Sequence, residues 1–478
     1  MDSSALRTFL EIPYDTLEEL NLGAKQKRKD RVSPKKLEAY YTSYLKNEKR
    51  VKAVTIGFSD IEGRFHMLDY DKKFFLYTYT NLTFDGSSIR GFSRQAESDL
   101  RLEIDWAAFW WLPSDVFGAG KVLLMGEIKD KDGTPYHIDS RGVLKSYLGD
   151  LYKKEGYTVF AANEVEGFLL KGVDAEKTFD ERAGFELTST GGYYHSLPTD
   201  TLRVFIDKCA EAQRAMGFEN EKDHPEVAPA QFELNYSYAD ALIGADQIQL
   251  YKLVCRQIAR TMGMTASFLP KPVVGINGSG MHTNISIAKN GKNIFYDNKG
   301  RGMISARGWS FIDRILSNAN DICLILNSSV NAYRRLDPHF EAPNEIKVSE
   351  VDRGAMIRIP LHNEESARIE IRSVAPDANP YLVMYSLVKT GLEGSIEKKS
   401  EDKRPRVRYL PGTIQTAIMQ FRQSAWVEKL LGEEYKQKYV ELKQAVADRS
   451  PVELGTKVKV GEVVYHHEVH NQLLWNQF

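Results

Sequence analysis

Cysteine is scarce in this chain. Only Cys209, Cys255 and Cys323 occur in 478 residues, far apart and odd in number. No Cys-x-x-Cys pair exists, so neither a disulfide framework nor a thiolate zinc site is indicated. A reducing, cytoplasmic setting is the expectation. An excess of charge of either sign is also missing: 64 Lys and Arg face 65 Asp and Glu, a net charge of -1. Bulk electrostatics therefore gives no reason to expect nucleic acid or a membrane surface as partner. The longest apolar runs, such as residues 106–112, fall far short of the ~20 residues that span a bilayer. The opening Met-Asp-Ser-Ser lacks the basic and apolar regions of a signal peptide. No internal repeat or low-complexity tract is present. What is there is ordinary globular composition, 42% hydrophobic and 27% charged, in a length that suits two or three domains.

Residues 1–32 read as an extension. Leu6, Phe9, Leu10, Leu17 and Leu20 are apolar, but Pro13 interrupts any single helix. The basic run at residues 25–31, Lys-Gln-Lys-Arg-Lys-Asp-Arg, reads as a solvated linker in preference to a nucleic-acid or localisation signal. Ser33 and Pro34 suit the cap and first position of a helix. From residue 51 the pattern alternates as strands do, and a compact mixed domain extends over residues 33–140. The larger remainder, residues 141–478, mixes strands with helices expected at 142–154, 200–216, 239–263, 309–326 and 379–393. Residues 397–408 form a charged loop before a helical region at 414–448.

Carboxylates recur in apolar, strand-like settings: Asn163-Glu164-Val-Glu166, His224-Pro-Glu226-Val-Ala-Pro229-Ala-Gln-Phe-Glu233 and Arg368-Ile-Glu370-Ile-Arg372. Residues two apart on a strand share a face. Glu164 and Glu166 therefore point one way, and so do Arg368, Glu370 and Arg372. Glu226 and Glu233 are seven apart, so Pro229 must mark a bend or bulge if both are to face one site. Carboxylates that converge inside a fold repel one another, and divalent cations relieve that repulsion. The interleaved arginines suggest an anion as well, phosphate or carboxylate. The glycines of Gly275-Ile-Asn-Gly-Ser-Gly-Met-His282 allow close approach of backbone to a ligand, and His282 is a possible metal ligand. Any one of these carboxylates, arginines or glycines alone is better read as ordinary surface or turn chemistry. The His466-His467-Glu-Val-His470 cluster reads as an exposed tail in preference to a metal site.

Together the segments resemble glutamine synthetase of the bacterial and archaeal type, from about residue 35 to about residue 450. The motifs that carry the resemblance occur in the family's order: Phe84-Asp-Gly-Ser-Ser-Ile89, the Glu164/Glu166 pair, the segment from His224 to Glu233, Lys271-Pro through His282, Arg335 through Arg372, and Ala375-Pro-Asp-Ala-Asn-Pro-Tyr381. The resemblance implies an α+β chain: an N-terminal β-grasp domain, then a larger catalytic domain with a curved antiparallel sheet flanked by helices. It implies ATP-dependent ligation of ammonia to L-glutamate through γ-glutamyl phosphate, with Mg2+ or Mn2+ at two positions. One metal would lie on Glu166, Glu226 and Glu233, the other on Glu164, His282 and Glu370. Glutamate would lie against Asn277, Gly278, His282, Arg335 and Arg372. Arg353 and Arg358 would meet the transferring phosphoryl group, and Glu221, Tyr238, Ser286 and Arg368 would lie near the nucleotide. Asp85 with Ser88, Tyr193 and Glu226 would form the ammonium pocket, and Glu341 would close over the intermediate. The implied assembly is two stacked hexameric rings, with active sites between neighbouring subunits.

The chain departs from the family pattern in places. His339 stands where the flap carries glycine, and Pro225 where a second histidine is often found. The segment after Leu392 lacks the tyrosine loop that some members have adenylylated. The extension and the tail after about residue 450 are not family-like. Two other readings stand beside the ligase: a relative of the same fold that joins glutamate to a larger amine, and a silent homologue that does no chemistry. Retention of all six metal positions argues against the second, and the ammonium-pocket residues against the first.

Overall fold

The computed structural model describes residues 11–93, 98–195, 200–336, 342–397, 407–464 and 466. The first sheet has five strands, β1 (Ala53–Ser59), β2 (Phe65–Asp71), β3 (Leu82–Asp85), β4 (Asp99–Trp111) and β5 (Lys121–Lys129). Their order is β2-β1-β5-β4-β3, with β1 and β5 parallel and the other pairs antiparallel. Residues 54–58 of β1 and 122–125 of β5 are buried, as expected for central strands covered on both faces.

The second sheet holds ten strands. Its main path joins β6 (Tyr157–Lys171), β7 (Asn220–Pro225), β8 (Gln231–Tyr236), β11 (Met281–Lys289), β13 (Glu345–Ser349), β14 (Ala355–Arg358) and β15 (Ile369–Ile371) in the order β13-β14-β15-β11-β6-β8-β7. All these pairs are antiparallel except β13 with β14. Three strands lie off the main path: β9 (Ala239–Asp240) and β10 (Met264–Ser267) pair with β6, and β12 (Lys292–Asn293) pairs with β11. The long strand β6 changes partner along its length: residues 157–165 pair with β11, and residues 166–168 with β8. This exchange brings β8 and β11 to one strand and lets the sheet curl. Helices Ser140–Glu155, Thr201–Ala215, Ala241–Thr261 and Pro380–Glu393 flank it.

The two sheets are joined by buried polar contacts. Gln249 donates from Nε2 to Ser59 Oγ and Gly63 O, both at 2.8 Å. Arg141 reaches Asp105 on β4 at 3.0 Å and Asp246 at 2.8 Å. Gly63 has φ +90°, and a Cβ there would meet the Asn379 Cα at 2.6 Å. Only glycine permits that approach.

Several expectations need correction. Residues 25–31 are not a solvated linker. Pro13 does bar a single helix, as expected, but the helix Tyr14–Lys29 starts directly after it and lies across β4 and the Thr201–Ala215 helix with Leu17, Asn21 and Ala24 buried. Asn21 Nδ2 donates to Trp111 O at 3.0 Å and Ala215 O at 2.8 Å, while its Oδ1 accepts from Trp111 N at 3.0 Å. The basic residues cover aromatic rings: Arg28 over Trp110 at 5.0 Å, Lys27 over Tyr40 at 4.6 Å, Arg31 over Tyr152 at 3.5 Å. Long cationic stems bury as well as apolar ones while their charge faces a ring. Ser33 has the extended backbone of a cap, but its side chain makes no capping hydrogen bond to the helix Pro34–Asn47. The helix expected at 309–326 is two, Ala306–Ser317 and Ala319–Leu326, broken at Asn318, whose side chain donates to Arg314 O and Ser395 O. The helical region expected at 414–448 is present, as three helices with breaks at Ser424 and Gly432. His466 is fully buried against Asp377, so the exposed-tail reading fails there; His467, His470 and the flap residues His339 and Glu341 lie outside the described residues. Among the described residues, no helix is long and apolar enough to cross a membrane.

Candidate active site

Three strands, β6, β8 and β15, and the turn that follows β7 deliver the carboxylates to one face of the second sheet, and β7 and β11 add a histidine each. On β6, Glu164 lies opposite His282 of β11, and Glu166 opposite Glu233 of β8. On β15, Glu370 lies opposite Asn284 of β11 and Arg358 of β14. His224 of β7 completes the row opposite Glu233. The bend expected at Pro229 is a full chain reversal: β7 and β8 form a hairpin, Glu226 N donates to Gln231 O at 2.8 Å, and Ala230 takes φ +60°. Reversal, not a bulge, lets Glu226 and Glu233 face the same space.

Two triads result, each with ligand atoms within 4.8 Å of one another: Glu164, His282 and Glu370, and His224, Glu226 and Glu233. The first is the set expected. The second contains His224 in the place that the resemblance gives to Glu166. Glu166 stands between the triads. Its Oε2 accepts from Gly280 N at 2.8 Å and Gln231 Nε2 at 3.1 Å, and its Oε1 lies 3.9 Å from His282 Nδ1. The histidine beside two glutamates in one segment was the available signal. Only the pairing of β7 with β8 gives it meaning.

The electrostatics differ between the triads. Burial raises Glu164, but hydrogen bonds from the His282 ring and Asn284 outweigh it and bring its pKa to about 2. Glu370 is held by Arg372 Nη1 at 2.6 Å and Arg358 Nη1 at 2.9 Å. In the second group, burial and then the Glu226 carboxylate push Glu166 up to about 8. Burial, with Glu166, Glu164 and Glu226, raises Glu233 well above the usual range, and burial also raises Glu226. Burial lowers both His224 and His282, so both imidazoles favour the neutral, ligating form. Neutral imidazoles beside carboxylates that repel one another form an oxygen-rich donor set that fits divalent cations.

The arginines sit on the same side. Arg335 is buried at the end of the helix Val330–Arg335, donating from Nη2 to Arg372 O at 2.9 Å and from Nη1 to Val374 O at 3.2 Å. Burial lowers its pKa to about 10, and Glu166 opposes that shift. A Cβ on Gly280 would meet Arg335 Nη2 at 2.5 Å and His282 Nε2 at 2.9 Å, and a Cβ on Gly278 would meet Pro270 O at 2.4 Å. These glycines let the loop carrying Asn277 and Gly278 lie against Arg335. Arg353 is exposed, and its carbonyl accepts from Arg372 Nε at 3.3 Å. Arg368 Nε donates to Asn284 Oδ1 at 3.1 Å, Ser286 is two residues further along β11, and the Tyr238 ring stands edge-on to Phe160. Glu221 is exposed and accepts from Ser237 Oγ at 3.3 Å. Tyr193 stacks on Tyr194 at 3.8 Å, and both rings stand edge-on to His224. Asp85 is at the end of β3 in the other sheet, where it accepts from Ser87 N at 2.9 Å and from the Ser88 hydroxyl. Among the described residues, no hydrogen bond or ion pair joins Asp85 or Ser88 to the carboxylate face of this chain.

Residues 50–131 match the family profile for the glutamine synthetase beta-Grasp domain, and residues 137–454 the profile for the glutamine synthetase catalytic domain. Glutamine synthetases of Staphylococcus epidermidis and Staphylococcus aureus are 35% identical over 420 and 419 residues, covering 83% of this chain and 91% of theirs. Among solved structures, glutamine synthetase of Plasmodium falciparum superposes with a TM-score of 0.77 at 23% identity, over 86% of this chain and 95% of that one. A GmaS complex with ADP superposes at 0.72 and 23% identity, over 84% and 94%. These two structures show a shared fold. With domains and overall sequence in agreement, the chain belongs to the glutamine synthetase family.

Proposed function

We propose that the protein is a glutamate–ammonia ligase. The γ-carboxylate of L-glutamate attacks the γ-phosphorus of ATP, releasing ADP and forming γ-glutamyl phosphate. Ammonia, formed when ammonium gives a proton to Asp85, then attacks the acyl carbon, phosphate leaves, and the attacking nitrogen loses a second proton to that phosphate, giving L-glutamine. The observation that carries this reading is the pair of acidic triads on one sheet face, flanked by Arg335, Arg358 and Arg372. Divalent cations bound there, Mg2+ or Mn2+, supply the charge neutralisation that lets two anions approach. Arg358 and Arg353 hold the transferring phosphoryl group, whose negative charge spreads over its oxygens. Arg335, Arg372, Asn277, Gly278 and His282 orient glutamate. Glu221, Tyr238, Ser286 and Arg368 line the nucleotide side.

The ammonium pocket is built from Tyr193 and Glu226 of one subunit with Asp85 and Ser88 of a neighbour. Ser87 and Ser88 hydroxyls hold Asp85 ionised, below its usual range, so it can attract ammonium and take its proton. Glu341 closes the site and keeps water from the acyl phosphate. A ring assembly, two stacked hexamers in a cytoplasmic setting, completes the reading. An acceptor panel with ATP and glutamate tests it: ammonium is expected to outpace methylamine, ethylamine and putrescine, and faster turnover with any of these would reassign the acceptor. Mixing Asp85→Ala with Glu370→Gln protein is expected to restore activity from two inactive parents. A fully active monomer by light scattering would rule out shared sites.

A further inference from the structure

The residues beyond the family match pack directly behind the arginine helix. Arg334 precedes Arg335, and its guanidinium is buried on the other side. It forks onto Glu462, Nε to Oε2 at 2.5 Å and Nη2 to Oε1 at 2.6 Å. The same group donates to Gly455 O at 2.7 Å and Lys457 O at 3.0 Å. Glu462 is 0% exposed at its side chain, and it lies in the helix Val460–Val464, past the end of the catalytic-domain match at residue 454. A second contact runs from Glu462 to the substrate loop. Asn331 Nδ2 donates to Glu462 Oε2 at 3.2 Å and Lys271 O at 3.0 Å, and Asn331 Oδ1 accepts from Lys271 N at 2.6 Å. Lys271 Nζ in turn donates to Ile276 O, the residue before Asn277. Val458 and Val463 pack on Leu269, two residues before Lys271. A third contact holds the start of the helix: His466 Nε2 meets Asp377 Oδ2 at 2.9 Å, Asp377 accepts from Ser329 Oγ, and Ser329 caps the helix by accepting from Ala332 N.

We propose that residues 455–464, together with His466, form a strap that positions the amino-acid subsite, with Glu462 as the positioning residue for Arg335 and for the loop bearing Asn277 and Gly278. This inference rests on the reading that Arg335 and that loop bind glutamate. Lys271, Arg334, Arg335 and Arg372 crowd cationic groups into a buried region. Glu462 is the carboxylate that forks onto Arg334, which leaves Arg335 to face Glu166 and the substrate. A buried guanidinium deprived of its carboxylate has to move or draw in another anion. Either response shifts the adjacent Arg335, and a displacement near 1 Å at a binding group is felt strongly. Glu462 touches neither triad, so the effect falls on glutamate and spares nucleotide and metal.

The test is steady-state kinetics on Glu462→Gln, which keeps the side chain's shape and removes its charge. The KM for glutamate is expected to rise about 10-fold or more, with kcat at saturating glutamate and the KM for ATP within about twofold of the parent. Glu462→Asp, which keeps the charge, is expected to recover part of the loss. Arg335→Gln runs alongside as the control for the underlying reading. If Arg335→Gln raises the glutamate KM and Glu462→Gln does not, the strap only closes the core and the inference fails. If Arg335→Gln leaves that KM unchanged, the glutamate subsite itself is misplaced. Equal changes in all constants with a lowered melting temperature would mark Glu462 as structural and also overturn the inference. Should Glu462→Gln fail to fold, Asn331→Ala carries the same test, because it cuts the route to Lys271 and leaves the Arg334–Glu462 pair in place.

Discussion

The two triads are made of the same residue types on the same sheet face, yet they balance charge differently. Around Glu164, His282 and Glu370 the protein supplies its own cations and donors: Arg358 and Arg372 on Glu370, Asn284 on Glu164. Around His224, Glu226 and Glu233 the hydrogen bonds are a side-chain amide, Asn235 Nδ2 on Glu233 at 2.7 Å, and a backbone N–H, that of Val227 on Glu226 at 3.0 Å. Its carboxylates titrate high, and Glu164 titrates low. A buried pair in balance stabilises the apo fold. An unbalanced cluster strains it and stores affinity for a cation.

The largest test of this contrast is Glu370→Ala. It strips the shared carboxylate from Arg358 and Arg372, so the metal-free protein is expected to lose about 3 kcal/mol of stability, read by urea denaturation, and phosphoryl transfer is expected to vanish, read as glutamate-dependent ADP release. Glu233→Gln should do the opposite to the apo protein. Removing one of several repelling carboxylates is expected to raise its melting temperature, while divalent-cation affinity measured by calorimetry falls about 10–100-fold. If both substitutions destabilise the apo protein equally, the triads do not differ as described.

The pH dependence is the next effect. The folded pKa of Glu166, about 8, lies above its ordinary 4.5. Its contribution to stability is therefore fully present below about 4.5 and is lost as pH rises to about 8. The melting temperature of chelator-treated protein is expected to fall across that window relative to protein with saturating Mg2+. Cation binding near pH 7 should also release protons, seen as a buffer-dependent binding enthalpy. A flat difference between the two curves would place Glu166 among ordinary carboxylates. The smallest effect is Asn235→Ala, which removes one neutral donor from Glu233 and should weaken cation affinity about threefold, with no change in the glutamate KM.

Much of this was legible in the chain. Alternation put Glu164 with Glu166, and Arg368 with Glu370 and Arg372, because strand geometry has a period of two residues whatever surrounds it. Helices at 142–154, 200–216 and 379–393 were expected close to where they lie, since each has a cap or a first-turn proline: Asp139 and Asp200 accept from backbone N–H groups, and Asn379 does so ahead of Pro380. Two of the misses share one cause. The basic run at 25–31 looked like solvent-exposed charge because two of the three rings that receive it, Trp110 and Tyr152, are more than 80 residues away in sequence. Glu462 and His466 looked like an appendage because Arg334 and Asp377, their partners, are equally remote.

By itself the sequence determined the kinds of ligand atoms, their local faces and the family. Those follow from residue identity and the short-range periodicity of strands and helices. Only the tertiary structure decided that His224 joins Glu226 and Glu233, that Glu166 stands between two triads, and that one triad is neutralised while the other is left hungry for charge. Each of these depends on which strands become neighbours and how deeply they are buried. Coulomb energy varies with distance and local dielectric, and neither quantity is written in the spacing of residues along a chain.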